Sequence, residues 1–298
     1  MKVTMTESIC PEGMEMLDGA EIFVAHDAHP HNYLDQLKDT DAFIVRVADK
    51  GAVDAQTMDE GGFRVIGRTG VGYDSVDIAA ATARGIPVVI TPGANMRSVA
   101  EHAITLMMAL SKNLIEGDVQ QREGNWKIRD AKKSFEIENK TALIIGLGNI
   151  GKSIAHLCQG LDMKVIAYDS FLTREQMATL NVIKYDDKME ALQAADVVFV
   201  QMPLIEGITN NTIAKEELKM MKSTAILINT SRGEIINEPD LVEALRSGSI
   251  AGAGLDVFWN EPTNVSDEIL NCPNVIVSPH SAAQTREAVI KMHTDCVE

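Results

Sequence analysis

Three side chains late in the chain could work together on a small acid. Arg232, in NTSRG, offers a planar two-pronged donor face that matches a carboxylate and can polarise an adjacent 2-oxo group. His280, in SPH, carries an imidazole, the side chain that most readily gives and takes a proton near neutral pH. Glu261, in VFWNEP, can hold the other ring nitrogen, fixing the tautomer and favouring the charged ring. With a hydride carrier, these groups suit the reversible oxidation of a 2-hydroxy acid to a 2-oxo acid. Each has a plainer reading: Arg232 a solvated loop cation, Glu261 an ordinary loop residue, His280 the end of a strand, and Asp256, in GLDVF at the end of the preceding strand, a helix-capping or turn residue. Their joint placement at or just past the carboxyl ends of successive strands favours the catalytic reading.

The carrier is written in Lys140 to Asp169. Thr141 to Ile145 reads as a strand, Gly146, Gly148 and Gly151 form G-x-G-x-x-G, and a helix spans Asn149 to Gly160. The apolar strand Lys164 to Tyr168 follows and stops at Asp169. Gly146 permits a tight turn, Gly148 a close backbone approach to a pyrophosphate, and Gly151 close packing of helix on strand. The helix start, with Asn149 and Ile150, presents unpaired N–H groups to the anion. Asp169 lies 18 residues past Gly151, where it can accept the ribose hydroxyls and repel a 2′-phosphate. NAD is therefore expected over NADP, with Arg174 the one feature against that preference. Met202 and Pro203, ending another strand, complete the expected cofactor contacts. No metal is expected, because the cofactor supplies the hydride chemistry. His26, His29 and His31, in HDAHPH, read as a solvated loop rather than metal ligands.

The elements that must position these groups alternate strand and helix. Lys2 to Thr6, Glu21 to Ala25, Ala42 to Val47, Phe63 to Ile66 and Pro87 to Ile90 read as strands. Helices are expected at Pro11 to Leu17, Asn32 to Leu37 and Ser75 to Arg84. Thr91 to Asn95 is a hinge candidate. Ser98 to Glu101 forms a capping-box pattern before a long apolar-faced helix. The polar stretch Glu116 to Glu138, with Trp126, reads as a surface excursion that reaches toward a partner subunit. Beyond the glycine motif, strands are expected at Ala195 to Val200, Ala225 to Ile228, Ala253 to Val257 and Val275 to Val277, and a helix at Pro239 to Arg246. Such alternation implies parallel sheets with helices on both faces.

Composition sets outer bounds. A chain of 298 residues has room for two domains, and 45% hydrophobic content suits a globular protein. No apolar run reaches membrane-span length, and the N-terminus lacks a signal-peptide core, so no membrane partner and a cytoplasmic location are expected. A net charge of −16 argues against a nucleic-acid partner. Cys10, Cys158, Cys272 and Cys296 are scattered and read as free thiols.

With those residues identified, the chain from about Ala42 to about Met292 resembles the D-isomer-specific 2-hydroxyacid dehydrogenase family. The resemblance rests on GRTGVGYDSVDIAAATARGIPVVITPGANMRSVAEH, on GLGNIG with Asp169, on NTSRGEIINEPDLVEALRSGSIAGAGLDVFWNEP and on NVIVSPH. It implies catalytic roles for Arg232, Glu261 and His280. It also implies NAD contacts at Asp169, Thr230, Arg232, Asp256 and His280, and backbone substrate contacts at Val71 and Gly72. The implied fold is an NAD-binding Rossmann domain, residues 96–280, inserted in a flavodoxin-like substrate domain. The latter comprises residues 1–95, with 281–298 returning toward it, and a cleft lies between the two. A homodimer joined through the cofactor domains is implied as well.

Within the family, VRVADKGAVD and VIGRTGVGYDSVD look most like 3-phosphoglycerate dehydrogenases, whose matching arginines, here Arg46 and Arg68, lie near a phosphorylated substrate. Lys127 or Arg129 is a candidate further cation. Structural ion pairing is the alternative for Arg46 and Arg68, and reduction of hydroxypyruvate, glyoxylate or other 2-oxo acids is the alternative activity. An NAD-sensing corepressor is the alternative of a different class. Ser281-Ala282-Ala283 departs from the glycines usual after the histidine, which implies crowding at the nicotinamide or a narrower substrate range. The chain ends 18 residues past His280, which implies a truncated end, and feedback control through a serine-binding regulatory domain is not expected of it.

Overall fold

The computed structural model describes residues 1–131 and 134–298, and these divide into two units. The first comprises Met1–Met96 and Ala283–Glu298, the second Arg97–Ala282.

The first unit is built on β1 (Lys2–Met5), β2 (Glu21–Val24), β3 (Ala42–Val45), β4 (Val65–Arg68) and β5 (Val88–Val89). All pairings are parallel and the order is β2-β1-β3-β4-β5, the flavodoxin-like arrangement. Alternate residues feed cores on opposite faces: Phe43 and Val45 join Leu37, Met58, Phe63 and Ile66, while Ile44 joins Val3, Met5 and Leu17. A strand buried on both faces reads as a continuous apolar run, which is why AFIV was legible. The C-terminal helix Arg286–Val297 belongs to this unit. It seats buried His293, whose Nδ1 accepts a hydrogen bond from the Cys10 N–H at 2.8 Å.

The second unit holds β6 (Thr141–Ile145), β7 (Lys164–Tyr168), β8 (Ile183–Lys184), β9 (Val197–Val200), β10 (Ile226–Asn229), β11 (Gly252–Leu255) and β12 (Val275–Val277). The order β12-β11-β10-β9-β6-β7-β8 is entirely parallel and reverses direction between β6 and β9, which is the Rossmann plan. Leu143, Ile145, Val198, Val200 and Leu227 pack on one face, and Ala142, Ile144, Val197, Phe199 and Ile228 on the other. Among the described residues, no helix is long and apolar enough to cross a membrane.

Several expected boundaries shift. The helix expected from Ser75 starts at Ile78, because Asp77 caps it by accepting from Ala80 N–H at 2.9 Å. The strand expected at Phe63 to Ile66 runs Val65–Arg68, and Phe63 stacks on Phe43 instead. Asn32 to Leu37 is a 3₁₀ turn, Pro30–Tyr33, followed by one α-turn. The capping box expected at Ser98 is not formed: the helix spans Met96–Ser111, Ser98 lies inside it, and Glu101 pairs with Arg97. The polar stretch from Glu116 carries two short helices, Leu114–Arg122 and Ile128–Ala131, while Ile137 is buried in the core. Lys132 and Lys133 of that stretch lie outside the described residues.

Candidate active site

Parallel register brings the strand ends of the second unit into one row. Ile145 pairs with Tyr168 and Val200, Asn229 with Val200 and Leu255, and Leu255 with Val277. The residues that follow, Gly146, Asp169, Gln201, Thr230, Asp256 and Ser278, therefore share the carboxyl edge of the sheet, where open α/β sheets bind ligands. Asp256 is the first residue past β11 and not a strand residue as expected.

At the switch point the glycine loop has the shape a dinucleotide requires. Gly146 has φ +94°, and a Cβ there would lie 2.6 Å from the Gln201 carbonyl oxygen. A Cβ on Gly151 would lie 2.3 Å from the Gly146 carbonyl oxygen, so the helix Asn149–Gly160 can approach β6 only without a side chain. A Cβ on Gly148, in contrast, would meet nothing within 4 Å. That open space at the helix N-terminus, beside Asn149 and Ile150, fits a pyrophosphate. Asp169 is held at the loop by three backbone donors. Leu147 N–H reaches Oδ2 at 2.8 Å, and Phe171 and Leu172 N–H reach Oδ1 at 2.8 and 3.1 Å. Arg174, the feature that opposed NAD, donates to Asp186 at 2.5 Å and to the Lys184 carbonyl. Met202 and Pro203 follow β9, and Thr230 Oγ1 accepts from Gln201 Nε2 at 2.7 Å.

The proton-transfer groups meet at the other end of the row. His280 Nδ1 lies 2.6 Å from Glu261 Oε2, and Glu261 Oε1 accepts from Phe258 N–H at 3.0 Å. Burial pushes the Glu261 carboxyl up. The His280 hydrogen bond and charge, the Phe258 N–H and the charge of Arg232 outweigh that and hold it below the usual carboxylate range. The imidazole is 48% exposed. Arg232 arrives by backbone packing: a Cβ on Gly233 would lie 2.0 Å from the Phe258 carbonyl carbon, so this turn presses against the segment that carries Glu261. Asn229 shapes the same turn, accepting from Ser231 N–H at 3.0 Å and donating to the Arg232 carbonyl at 2.9 Å.

Sequence reasoning did not foresee what holds His280. Its φ is +50°, a left-handed conformation that is costly for a residue with a Cβ. The carboxylate of Asp256, 1% exposed, accepts from Ser278 Oγ at 2.6 Å, Ser281 N–H at 2.9 Å and Ala282 N–H at 2.9 Å. His280 N–H itself donates to the Asp256 carbonyl at 2.9 Å. Ser281 and Ala282, read as crowding departures, thus serve through their backbone to close this turn. The only signal in the sequence was Asp256 at a strand end.

In the first unit, Arg46 Nη1 donates to the Ser8 carbonyl at 3.0 Å and Arg68 Nη1 to the Thr69 carbonyl at 2.8 Å. Val71 and Gly72 lie in the turn after β4, partly exposed. His26, His29 and His31 face three different carboxylates, Glu7, Asp49 and Asp54. Arg129 pairs with Asp130.

Comparison with known proteins agrees with this geometry. Residues 104–282 match the family model described as D-isomer specific 2-hydroxyacid dehydrogenase, NAD binding domain. A D-3-phosphoglycerate dehydrogenase from Archaeoglobus fulgidus is 37% identical over 295 residues, covering 98% of this chain and 55% of that protein. A glyoxylate reductase from Korarchaeum cryptofilum is 36% identical over 263 residues, covering 87% of this chain and 78% of that protein. The chain thus spans about half the length of that phosphoglycerate dehydrogenase. The solved structure of an NADPH-dependent glyoxylate/hydroxypyruvate reductase from Sinorhizobium meliloti superposes with a TM-score of 0.86 at 29% identity, covering 99% of this chain and 92% of that one. Motif, fold and likeness converge: this chain belongs to the D-isomer specific 2-hydroxyacid dehydrogenase family, with its NAD-binding domain at residues 104–282.

Proposed function

We propose that the protein is an NAD-dependent oxidoreductase that interconverts a D-2-hydroxy acid and its 2-oxo acid. The observation that carries this is the 2.6 Å contact between His280 and Glu261 beside Arg232, on the same sheet edge as the glycine loop. Arg232 binds the substrate carboxylate and polarises the adjacent carbonyl. His280 gives a proton to that carbonyl oxygen in reduction and takes it back in oxidation. Glu261 holds the Nδ1 side of the ring, so the reacting proton sits on the Nε2 side. When bound, the nicotinamide supplies or accepts the hydride. Asp169 favours NAD, because a 2′-phosphate would meet its carboxylate.

Phosphoglycerate is the favoured substrate class, supported by Arg46 and Arg68 at the ends of β3 and β4 and by the Archaeoglobus relative. Such an enzyme serves serine synthesis. Hydroxypyruvate or glyoxylate reduction is the second reading, favoured by the larger share of the Korarchaeum relative that the chain spans. NADH oxidation with 3-phosphohydroxypyruvate, hydroxypyruvate, glyoxylate and pyruvate, side by side, separates the two. Preference for the phosphorylated acid supports the first, and preference for the others makes Arg46 and Arg68 structural. NAD-dependent self-association without turnover would instead mark a sensor.

The reading extends to a cytoplasmic homodimer. Free thiols at Cys10, Cys158, Cys272 and Cys296 suit a reducing compartment. Leu114, Ile115 and Val119 expose an apolar stripe beside a groove of about 610 Å³ lined by Leu110, Phe135, Leu245 and Ile276. Sedimentation of Val119→Lys as a monomer would support this surface as the dimer contact, whereas an unaltered dimer would remove it.

A further inference from the structure

The turn that carries His280 is gripped from outside by one helix. Gly252 and Gly254 of β11 let the helix Met96–Ser111 lie close, since a Cβ on Gly254 would come within 2.9 Å of Leu106 Cβ. Ser98 and His102, four residues apart, share one face of that helix. Ser98 Oγ donates to the Ala282 carbonyl at 2.5 Å, at the far end of the turn. His102 Nε2 lies 2.8 Å from Ser278 Oγ, at its near end.

The direction of the near chain follows from counting protons. A serine hydroxyl has one hydrogen and two lone pairs. Ser278 Oγ lies 2.6 Å from Asp256 Oδ1, and an ionised carboxylate only accepts, so the hydroxyl hydrogen is spent there. The lone pairs then face His102, whose Nε2 must carry a hydrogen. We infer that His102, as the Nε2–H donor to Ser278, is a positioning residue for His280. It aims the Ser278 hydroxyl at Asp256 and so holds the turn that keeps His280 in its left-handed conformation against Glu261. His102 touches neither Glu261 nor the reacting atoms, and nothing in its helical spacing distinguishes it from a core histidine.

This inference rests on the reading of His280 as the proton donor, and its tests separate the two. In the intact wild-type protein, ¹⁵N NMR of His102 is expected to show hydrogen on Nε2, and a ring protonated only on Nδ1 would overturn the inference whatever the activity. In the turnover assay, His102→Leu is expected to lower kcat by about 10- to 100-fold, the scale of a small misplacement of a reacting group. NADH affinity and substrate KM should move less than about threefold, and His102→Gln, whose amide can donate to Ser278, should restore most of kcat. Wild-type kcat in His102→Leu would overturn the inference, as would failure of Gln to outperform Leu. Should Leu prevent folding, the tautomer measurement on the wild-type protein decides alone. Absence of turnover by the wild type on every 2-oxo acid would sink the His280 reading alone, because the tautomer measurement needs no turnover.

Discussion

The two sheets follow the same parallel plan, yet their carboxyl edges differ in how their polar groups are satisfied. On the second unit's edge, Asp169 accepts from three backbone N–H groups, Asp256 from two and a hydroxyl, and Thr230 from Gln201. On the first unit's edge, Thr69 Oγ1, Ser75 Oγ, Thr91 Oγ1 and Asn95 Oδ1 are buried without a partner. Among the described residues, all the orphaned atoms of this kind fall in the first unit. A buried hydroxyl without a partner costs free energy, so such groups mark strain, function or a missing ligand. The second edge is set in advance to hold a cofactor and a proton donor.

The largest effect expected from this contrast is that of Asp256→Ala. It strands Ser278, Ser281 and Ala282, so unfolding free energy should fall by about 3 kcal/mol and turnover by at least about 100-fold. Denaturant melts and steady-state rates check this, and near-wild-type values would show that the carboxylate is not the hub of the turn.

Next comes His293, in the first unit, where burial and then the charge of Arg46 pull the imidazole from 6.5 to about 4. Between pH 6.5 and about 4 the unfolded chain takes up a proton that the folded chain refuses. Stability is therefore full above pH 6.5 and is lost as pH falls toward 4, by up to about 3 kcal/mol. His293→Gln should flatten this part of the profile, and urea midpoints at pH 7 and 4.5 with the same spacing in both proteins would refute it.

A smaller change is expected from Asp169→Ala. NAD binding should weaken about tenfold and the gap to NADP should narrow, as titration with both cofactors would show. An unchanged preference would remove Asp169 as the ribose ligand. The smallest effect, and the sharpest test of the contrast, is Thr91→Val. Replacing an orphaned hydroxyl by a methyl should leave the fold as stable or raise it by up to about 1 kcal/mol. A clear loss of stability would mean that Thr91 already has a partner.

The second edge was the more legible of the two in the sequence, for a physical reason. Gly146 and Gly151 are fixed at short range, Gly146 by a turn at φ +94° and Gly151 by its approach to the Gly146 carbonyl five residues back, and Asp169 is held by backbone donors close to it in sequence. His280 and Glu261 were legible as chemistry, and their 2.6 Å contact follows from strand order. Hidden were the contacts of long separation: Ser98 with Ala282, His102 with Ser278, Cys10 with His293. Ser98 was read as a cap because only its neighbours in sequence were visible. Strand β8, two residues long, and the start of the helix after Asp77 were missed because tertiary pairing and one cap outweigh propensity there.

The role proposed for His280, held by Glu261 beside Arg232, is to move the substrate proton in a nicotinamide-dependent reaction. It is tested most directly by comparing His280→Ala with the wild type, measuring NADH affinity by fluorescence and NADH oxidation with the best of the four 2-oxo acids. Turnover is expected to fall by at least about 100-fold while NADH affinity stays within about threefold. A variant that binds NADH and turns over at the wild-type rate would contradict it.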